Sequence, residues 1–376
     1  MPCVDALKAK PLPGGRGWRR ALALCCLASS PLLASAAEAP ARPKMLDRPA
    51  EVRPHAERQL LLGGAWAGHR VVAVGAAGTV VLSDDEGRNW RQASAVPTSA
   101  TLTAVAFANE RDGYAIGHMG VVLRSRDGGD TWVRVLDGTQ AAALNLAAAE
   151  ALVTKDDSAA HKLLHKLARL AVTDGPNKPL LVLQVDRPEH ALVLGAYGLA
   201  LETSDGGANW RAAIDRFDNT KGLHYYGMAG RQGDGVVVGE QGLLLRAAEG
   251  GAYKETTSPY SGTLFGVLAA KAGHLVAYGL RGTVLRSADN GASWTRVDAK
   301  ATTSYQSGAV LADGTLVLGN EIGVLAASPD GGQSFQLLPQ RVQPAAGLLP
   351  LSGRQLLVLG PKGAERVELK AQQDNQ

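Results

Sequence analysis

The chain is poor in the residues that would cross-link it or arm it chemically. Of its 376 residues three are cysteine, and these, Cys3, Cys25 and Cys26, all lie near the start. The remainder has no thiol, which excludes disulfides, thiolate metal sites and cysteine nucleophiles from it. Aromatic residues make up 5%. Outside the N-terminal stretch no apolar run reaches the length of a membrane-spanning helix. With 45% hydrophobic and 20% charged residues, the composition excludes a membrane bundle and a disordered chain and suits a packed core.

Charge of one sign is also lacking. The formal net charge is +4, from 39 basic and 35 acidic residues. Five of the basic ones (Lys8, Lys10, Arg16, Arg19, Arg20) and one acid (Asp5) sit in the first 37 positions, so the rest carries 34 of each. No global field favours nucleic acid, and none is expected as a partner. Glycine, in contrast, is abundant at 45 residues without a collagen period, which implies many tight turns.

The first segment has the pattern of an export signal over residues 1–37. Arg16, Arg19 and Arg20 precede the apolar stretch Ala21 to Leu33, and Ala34-Ser35-Ala36 supplies a small-residue site with cleavage expected after Ala36 or Ala37. Ser29, Ser30 and Pro31 interrupt the stretch, which disfavours a transmembrane anchor. Bulky Leu24 before Cys25 argues against a lipid anchor. The expected location is the periplasm, or the thylakoid lumen if the host is photosynthetic.

Residues 38–376 contain an internal repeat: an apolar strand ending in G-x-x-G, a second apolar strand, then S/T-x-D-x-G-x-x-W. It runs through Gly75/Gly78 with Ser83 to Trp90, Gly117/Gly120 with Ser125 to Trp132, and Gly195/Gly198 with Thr203 to Trp210. A decayed copy follows at Gly239/Gly242 with Ala247 to Tyr253, then Gly279/Gly282 with Ser287 to Trp294, and Gly319/Gly323 with Ser328 to Phe335. Gly360/Gly363 begins a seventh. A period near 40 residues with four strand-like runs per copy predicts an all-β fold, a seven-bladed β-propeller. The last copy is one strand short, so the segment near Leu46 to Arg53 is expected to supply its outer strand and close the ring. In blade five the expected strands are Leu264 to Ala269, His274 to Gly279, Thr283 to Ser287 and Trp294 to Val297.

The second half of the motif resembles the Asp-box, or BNR repeat, which occurs in sialidases and sortilin-like receptors and implies a propeller more than an activity. The full cadence, best seen at Gly117 to Trp132 and Gly279 to Trp294, resembles the photosystem II stability and assembly factor-like family over about Leu60 to Lys370. That resemblance implies an exported, non-enzymatic factor that holds a membrane-protein subunit while a complex is built. The expected function is therefore a protein-binding scaffold, assisting a membrane or envelope complex, with no cofactor and no metal, acting as a monomer.

In such a blade the loops between second and third strands share one face with the inter-blade links. The candidate partner-binding residues there are His118, Tyr197, Tyr225, Tyr226, Glu240, Tyr260, Arg281, Tyr305, Glu321 and Arg341, a set rich in tyrosine and charge. The links add Arg216, Lys221 and His224. The alternative is ordinary loop polarity, with tyrosines packed on their own blades and Glu240, Arg281 and Glu321 neutralising one another.

Between blades two and three lies an insertion of about residues 137–177. Gln140 to Val153 reads as one helix, and Asp157 or Ser158 caps a second that runs to about Thr173. Leu163, Leu164, Leu167 and Leu170 form an apolar stripe on it, with Lys162, Lys166 and Arg169 largely opposite. The stripe docks on the propeller or meets a partner or a membrane surface, the one place where membrane contact is considered. His161 and His165 lack a third ligand and a zincin glutamate.

The competing enzyme reading is a sialidase-like glycoside hydrolase. It casts Arg216, Arg281 and Arg341 as a carboxylate clamp, Tyr225 or Tyr226 as nucleophile, and Glu240 and Glu321 as acids. Against it, no Arg-Ile-Pro-type segment precedes the first blade, the repeats number seven rather than six, and the early loops Ala76-Ala77 and Pro97 to Ala100 carry no acid.

Overall fold

The computed structural model describes residues 42–231, 234–270 and 273–370, so the expected export signal lies outside the described residues. Seven antiparallel sheets follow one another along the chain, spanning residues 61–92, 102–136, 180–212, 225–255, 264–297, 305–341 and 347–368. Each runs in simple meander order, as short strands joined by tight turns must. Blade five comprises Leu264–Ala269, Leu275–Gly279, Val284–Ser287 and Thr295–Val297, within a residue of the sequence expectation.

The core lies between blades. Among the described residues there are seven apolar clusters, and each spans a junction of neighbouring blades. Sheets that are apolar on both faces can bury them only by stacking side by side around an axis, which is the propeller solution. Second strands such as Val71–Val74 and Leu356–Leu359 are fully buried for this reason.

The expected terminal closure is corrected. Among the described residues the seventh sheet has three strands, and no sheet shares a strand with another. Leu61, Val71 and Val81 of blade one pack directly on Leu349, Leu357 and Leu359 of blade seven, and Trp66 Nε1 donates to the Pro350 carbonyl at 2.9 Å. Residues Leu46 to Arg53 go elsewhere. Leu46, at 0% exposure, enters the cluster between blades one and two, and the Met45 carbonyl accepts from Thr98 Oγ1 and the Ser99 N–H at 2.8 and 2.9 Å. An apolar anchor between blades outweighs edge pairing at a site that offers only backbone bonds.

The insertion is helical as expected. Its first helix, Gly138–Lys155, starts at a capping box in which Asp137 accepts from Thr139 and Gln140 while Gln140 reaches back to the Asp137 N–H. The second, Ala159–Asp174, is capped by Ser158 through the His161 N–H. Ala149 and Ala168 join the cluster beneath blades three and four. The leucine stripe divides: Leu164 and Leu167 are half-buried, whereas Leu163 and Leu170 are exposed. No described helix is long and apolar enough to cross a membrane.

Candidate functional site

Meander topology puts the second turn of every blade and the links between blades on one rim, and the S/T-x-D-x-G-x-x-W turns on the other. The latter rim is closed on itself. In blade five Ser287 Oγ donates to Asp289 Oδ1 at 2.8 Å and accepts from the Gly291 N–H at 2.8 Å, and Asp289 Oδ1 accepts from the Ser293 N–H at 2.9 Å. The same bonds recur around Asp85, Asp127, Asp205 and Asp330. Hydrogen bonds from the side chain and backbone of Ser293 hold the Asp289 carboxyl down at about 2, and the Asn89 N–H and side chain do the same for Asp85. These groups are engaged with their own turns.

The G-x-x-G rim is built differently. Its first glycine is extended, and its need for glycine is steric: a Cβ on Gly279 would lie 2.2 Å from the Thr263 carbonyl oxygen. The third residue is left-handed in five blades, at Ala77, Met119, Tyr197, Gln241 and Arg281, with φ between 53° and 60°. A side chain in that region costs roughly 1–2 kcal/mol, so Tyr197, which is 51% exposed, is held outward at some cost to stability.

A second device lies at the start of the inner strands. In blades one to six the register slips after the first paired residue, between Leu61 and Gly63, Leu102 and Ala104, Leu180 and Val182, Tyr225 and Gly227, Leu264 and Gly266, and Tyr305 and Ser307. Such a bulge turns the first side chain inward and re-aims the next. The inward residues are at most 1% exposed.

This corrects two candidates. Tyr225 and Tyr305 occupy the position held elsewhere by Leu61, Leu102, Leu180 and Leu264, and both are buried. Tyr225 packs on Phe217 at 5.6 Å between ring centroids, and Tyr305 donates to the Ala299 carbonyl at 2.8 Å. Burial pushes both phenols above their usual range, so neither belongs to the binding rim. The hydrolase casting loses Tyr225 as a nucleophile. It loses Arg216 as well, which pairs with Glu202 at 2.6 Å and donates to the Gly251 carbonyl at 3.1 Å.

The re-aimed residues of blades four and five form the centre of the candidate site. Tyr226 meets Phe265 edge-on at 5.5 Å between centroids, and His224 at 6.2 Å. His224 meets Tyr197 edge-on at 4.7 Å. Four rings thus run from the blade-three turn to the blade-five strand. At one end the Lys178 ammonium lies 4.6 Å from the Tyr197 ring centroid while pairing with Asp174 at 2.7 Å. At the middle, Glu240 Oε2 accepts from the His224 N–H at 3.2 Å and lies 3.7 Å from His224 Nδ1. Burial first, and then the Glu240 charge, raise the Tyr226 phenol.

Tyr197, Tyr226 and Glu240 are therefore brought together. Tyr260 stands apart at the next junction, half-buried, its hydroxyl donating to the Leu280 carbonyl at 3.2 Å, beside an open trough with Gln241, Glu255 and Ser258. Arg281 and Glu321 meet at Ser304, whose Oγ accepts from the Arg281 N–H and whose N–H donates to Glu321. Among the described residues no ion pair joins Arg281 to Glu240 or Glu321. Arg341 lines a separate trough with Gln343, Lys362 and Glu365, and His118 is exposed on the blade-two turn. Phe265 and Lys178 were not foreseen. Aligning the repeats on Tyr226 would have found Phe265, whereas Lys178 carries no sequence signal.

Residues 54–126, from the entry to blade one through the third strand of blade two, match the family model of the photosynthesis system II assembly factor YCF48. Two solved structures agree over nearly the whole described fold. "YCF48 bound to D1 peptide" superposes with a TM-score of 0.61 at 18% identity, covering 89% of this chain and all of that one. YCF48 from Cyanidioschyzon merolae gives 0.61 at 17%, covering 85% and 98%. The chain thus resembles the photosystem II assembly factor family in sequence and in fold. The WD40 propeller domain of Doa1 shares the architecture, at a TM-score of 0.57 and 10% identity over 88% of this chain and 97% of that one. A search of curated protein sequences finds no match. Among the described residues no group of three or more potential ligands is placed to hold a metal ion.

Proposed function

We propose that this YCF48-like propeller is an exported, non-enzymatic scaffold that holds an extended segment of a membrane or envelope protein on its G-x-x-G rim during assembly. The observation that carries the reading is the run of Tyr197, His224, Tyr226 and Phe265 across three blades. Edges and faces of successive rings grip apolar side chains of an extended chain, while Glu240 and Lys178 at fixed points set its register. The D1 peptide named with the YCF48 structure supports a client of the same kind, a peptide segment of a membrane protein.

Pull-down from detergent-solubilised envelope with wild type and with Tyr197→Ala/Tyr226→Ala tests this. A defined membrane-protein client retained by wild type and reduced at least tenfold in the variant is expected, since aromatic anchors dominate such interfaces. Equal recovery from both would remove the ladder as the site. Glycosidase activity abolished by the same pair would replace the scaffold with the hydrolase.

A further inference from the structure

Three of the ten exposed large apolar side chains of the described chain, Leu163, Leu170 and Val172, lie on the 16-residue second insertion helix. Ala168, 1% exposed, marks the face turned to the first helix and blade three. On the outward side the side chains form two parallel rows. Leu163 and Leu170, both exposed, make one, separated by about 10.5 Å along the axis at 1.5 Å per residue, with half-buried Leu167 between them turned toward the propeller. Lys162, Lys166 and Arg169 make the other at the same spacing. Lys162 pairs with Asp157 at 2.9 Å. No carboxylate pairs with Lys166 or Arg169 among the described residues. The nearby acids stand at the margins: Asp156 and Asp157 before the helix, Asp174 at its end against Lys178, and Glu150 on the first helix, 3.7 Å from His165.

We propose that this helix is a docking surface for an anionic lipid bilayer. A row of leucines beside a row of cations on a convex helix matches a planar surface whose apolar layer lies under an anionic one. A protein groove would instead call for pockets or side chains that interlock. The foot of the leucine row reinforces the match. A Cβ at Gly222 would lie 2.7 Å from Leu167 Cδ1 and 3.5 Å from the Tyr197 carbonyl oxygen, so half-buried Leu167 seats the helix on the propeller beside the turn that carries exposed Tyr197 with Lys178 above its ring, an aromatic and a cation of the kind found at interfaces. The chain as a whole is neutral outside its first segment, so the attraction is local to this helix. The inference rests on the helix alone and holds whether or not the aromatic ladder binds a client.

Co-sedimentation of the protein without its expected export signal, residues 38–376, tests it, with vesicles of phosphatidylcholine alone and of equimolar phosphatidylcholine and phosphatidylglycerol. Binding to the anionic vesicles, weakened by salt, is expected. Lys166→Glu/Arg169→Glu lowers the partition coefficient about thirty-fold, at about 1 kcal/mol per cation and roughly tenfold per 1.4 kcal/mol. Leu163→Gln/Leu170→Gln lowers it about tenfold, and Arg126→Glu on the opposite rim leaves it unchanged. Unaltered melting temperatures show that the surface variants fold. No binding to anionic vesicles, equal binding to both compositions, or helix variants that bind like wild type would each overturn the proposal.

Discussion

The two rims of the propeller are made from one repeat and put their polar groups to opposite uses. On the S/T-x-D-x-G-x-x-W rim, hydroxyl and carboxylate turn back on their own backbone, as Ser287 and Asp289 do. On the G-x-x-G rim the backbone takes on left-handed strain that holds Tyr197 outward and a bulge that brings half-buried Tyr226 into the same run of rings. A repeat can therefore hold its sequence steady at one end for stability and vary it at the other for recognition.

Breaking the stabilising rim should produce the largest effects. Trp132, 3% exposed, donates to the Gly129 carbonyl at 2.8 Å and meets Phe107 at 6.1 Å. Trp132→Ala is expected to cost about 3–5 kcal/mol in denaturant unfolding, with client affinity per folded molecule unchanged. Ser287→Ala strips the buried Gly291 N–H of its acceptor and should cost about 1–3 kcal/mol. A loss of client binding by either variant while folded would show that the rims are not independent.

Acid should act on the same rim. Asp85, Asp289 and Asp330 are held at about 2 against an ordinary value of 3.8. For Asp330 burial works the other way, and hydrogen bonds from Ser334 and Ser328 outweigh it. A folded-state value below the unfolded one means stability present above about pH 4 and lost as pH falls through about 2. Urea midpoints should fall over that range, and Asp289→Asn with Asp330→Asn should flatten the fall.

The smallest stability change belongs to the recognition rim. Tyr197→Gly relieves φ 58° and should leave stability equal or raise it by up to about 1 kcal/mol, while removing the first ring of the ladder and weakening client capture about tenfold. A variant that is destabilised and still captures client would reverse the assignment of the two rims.

The ring of blades was legible because the turns that demand glycine, aspartate and tryptophan recur every 40 residues or so. The insertion helices were legible from the alanine and leucine content of Gln140 to Val153 and from a capping residue, Ser158, before the second helix, whereas the Asp137 capping box appears only in the structure. The rim was only half legible. Tyr225 and Tyr226 are neighbours of the same type, and a bulge sends one into the core and leaves the other half-buried among His224 and Phe265. Superposing the copies would have placed Tyr225 and Tyr305 on the buried leucine column. Residues Leu46 to Arg53 were misplaced because a missing strand suggests a partner for its edge, whereas Leu46 had an apolar cleft to fill. The approach of Lys178 to Tyr197 depends on where the insertion returns to blade three, which local pattern does not encode.

The central claim is that the client lies on the G-x-x-G rim across blades three to five. Site-directed photo-crosslinking tests it directly, with a benzophenone side chain at Tyr197 or Tyr226 on one rim and at Arg126 on the other, irradiated in the presence of the client. The account predicts a covalent client adduct from Tyr197 and Tyr226 and none from Arg126. Adduct from Arg126, or equal adduct from both rims, would contradict it.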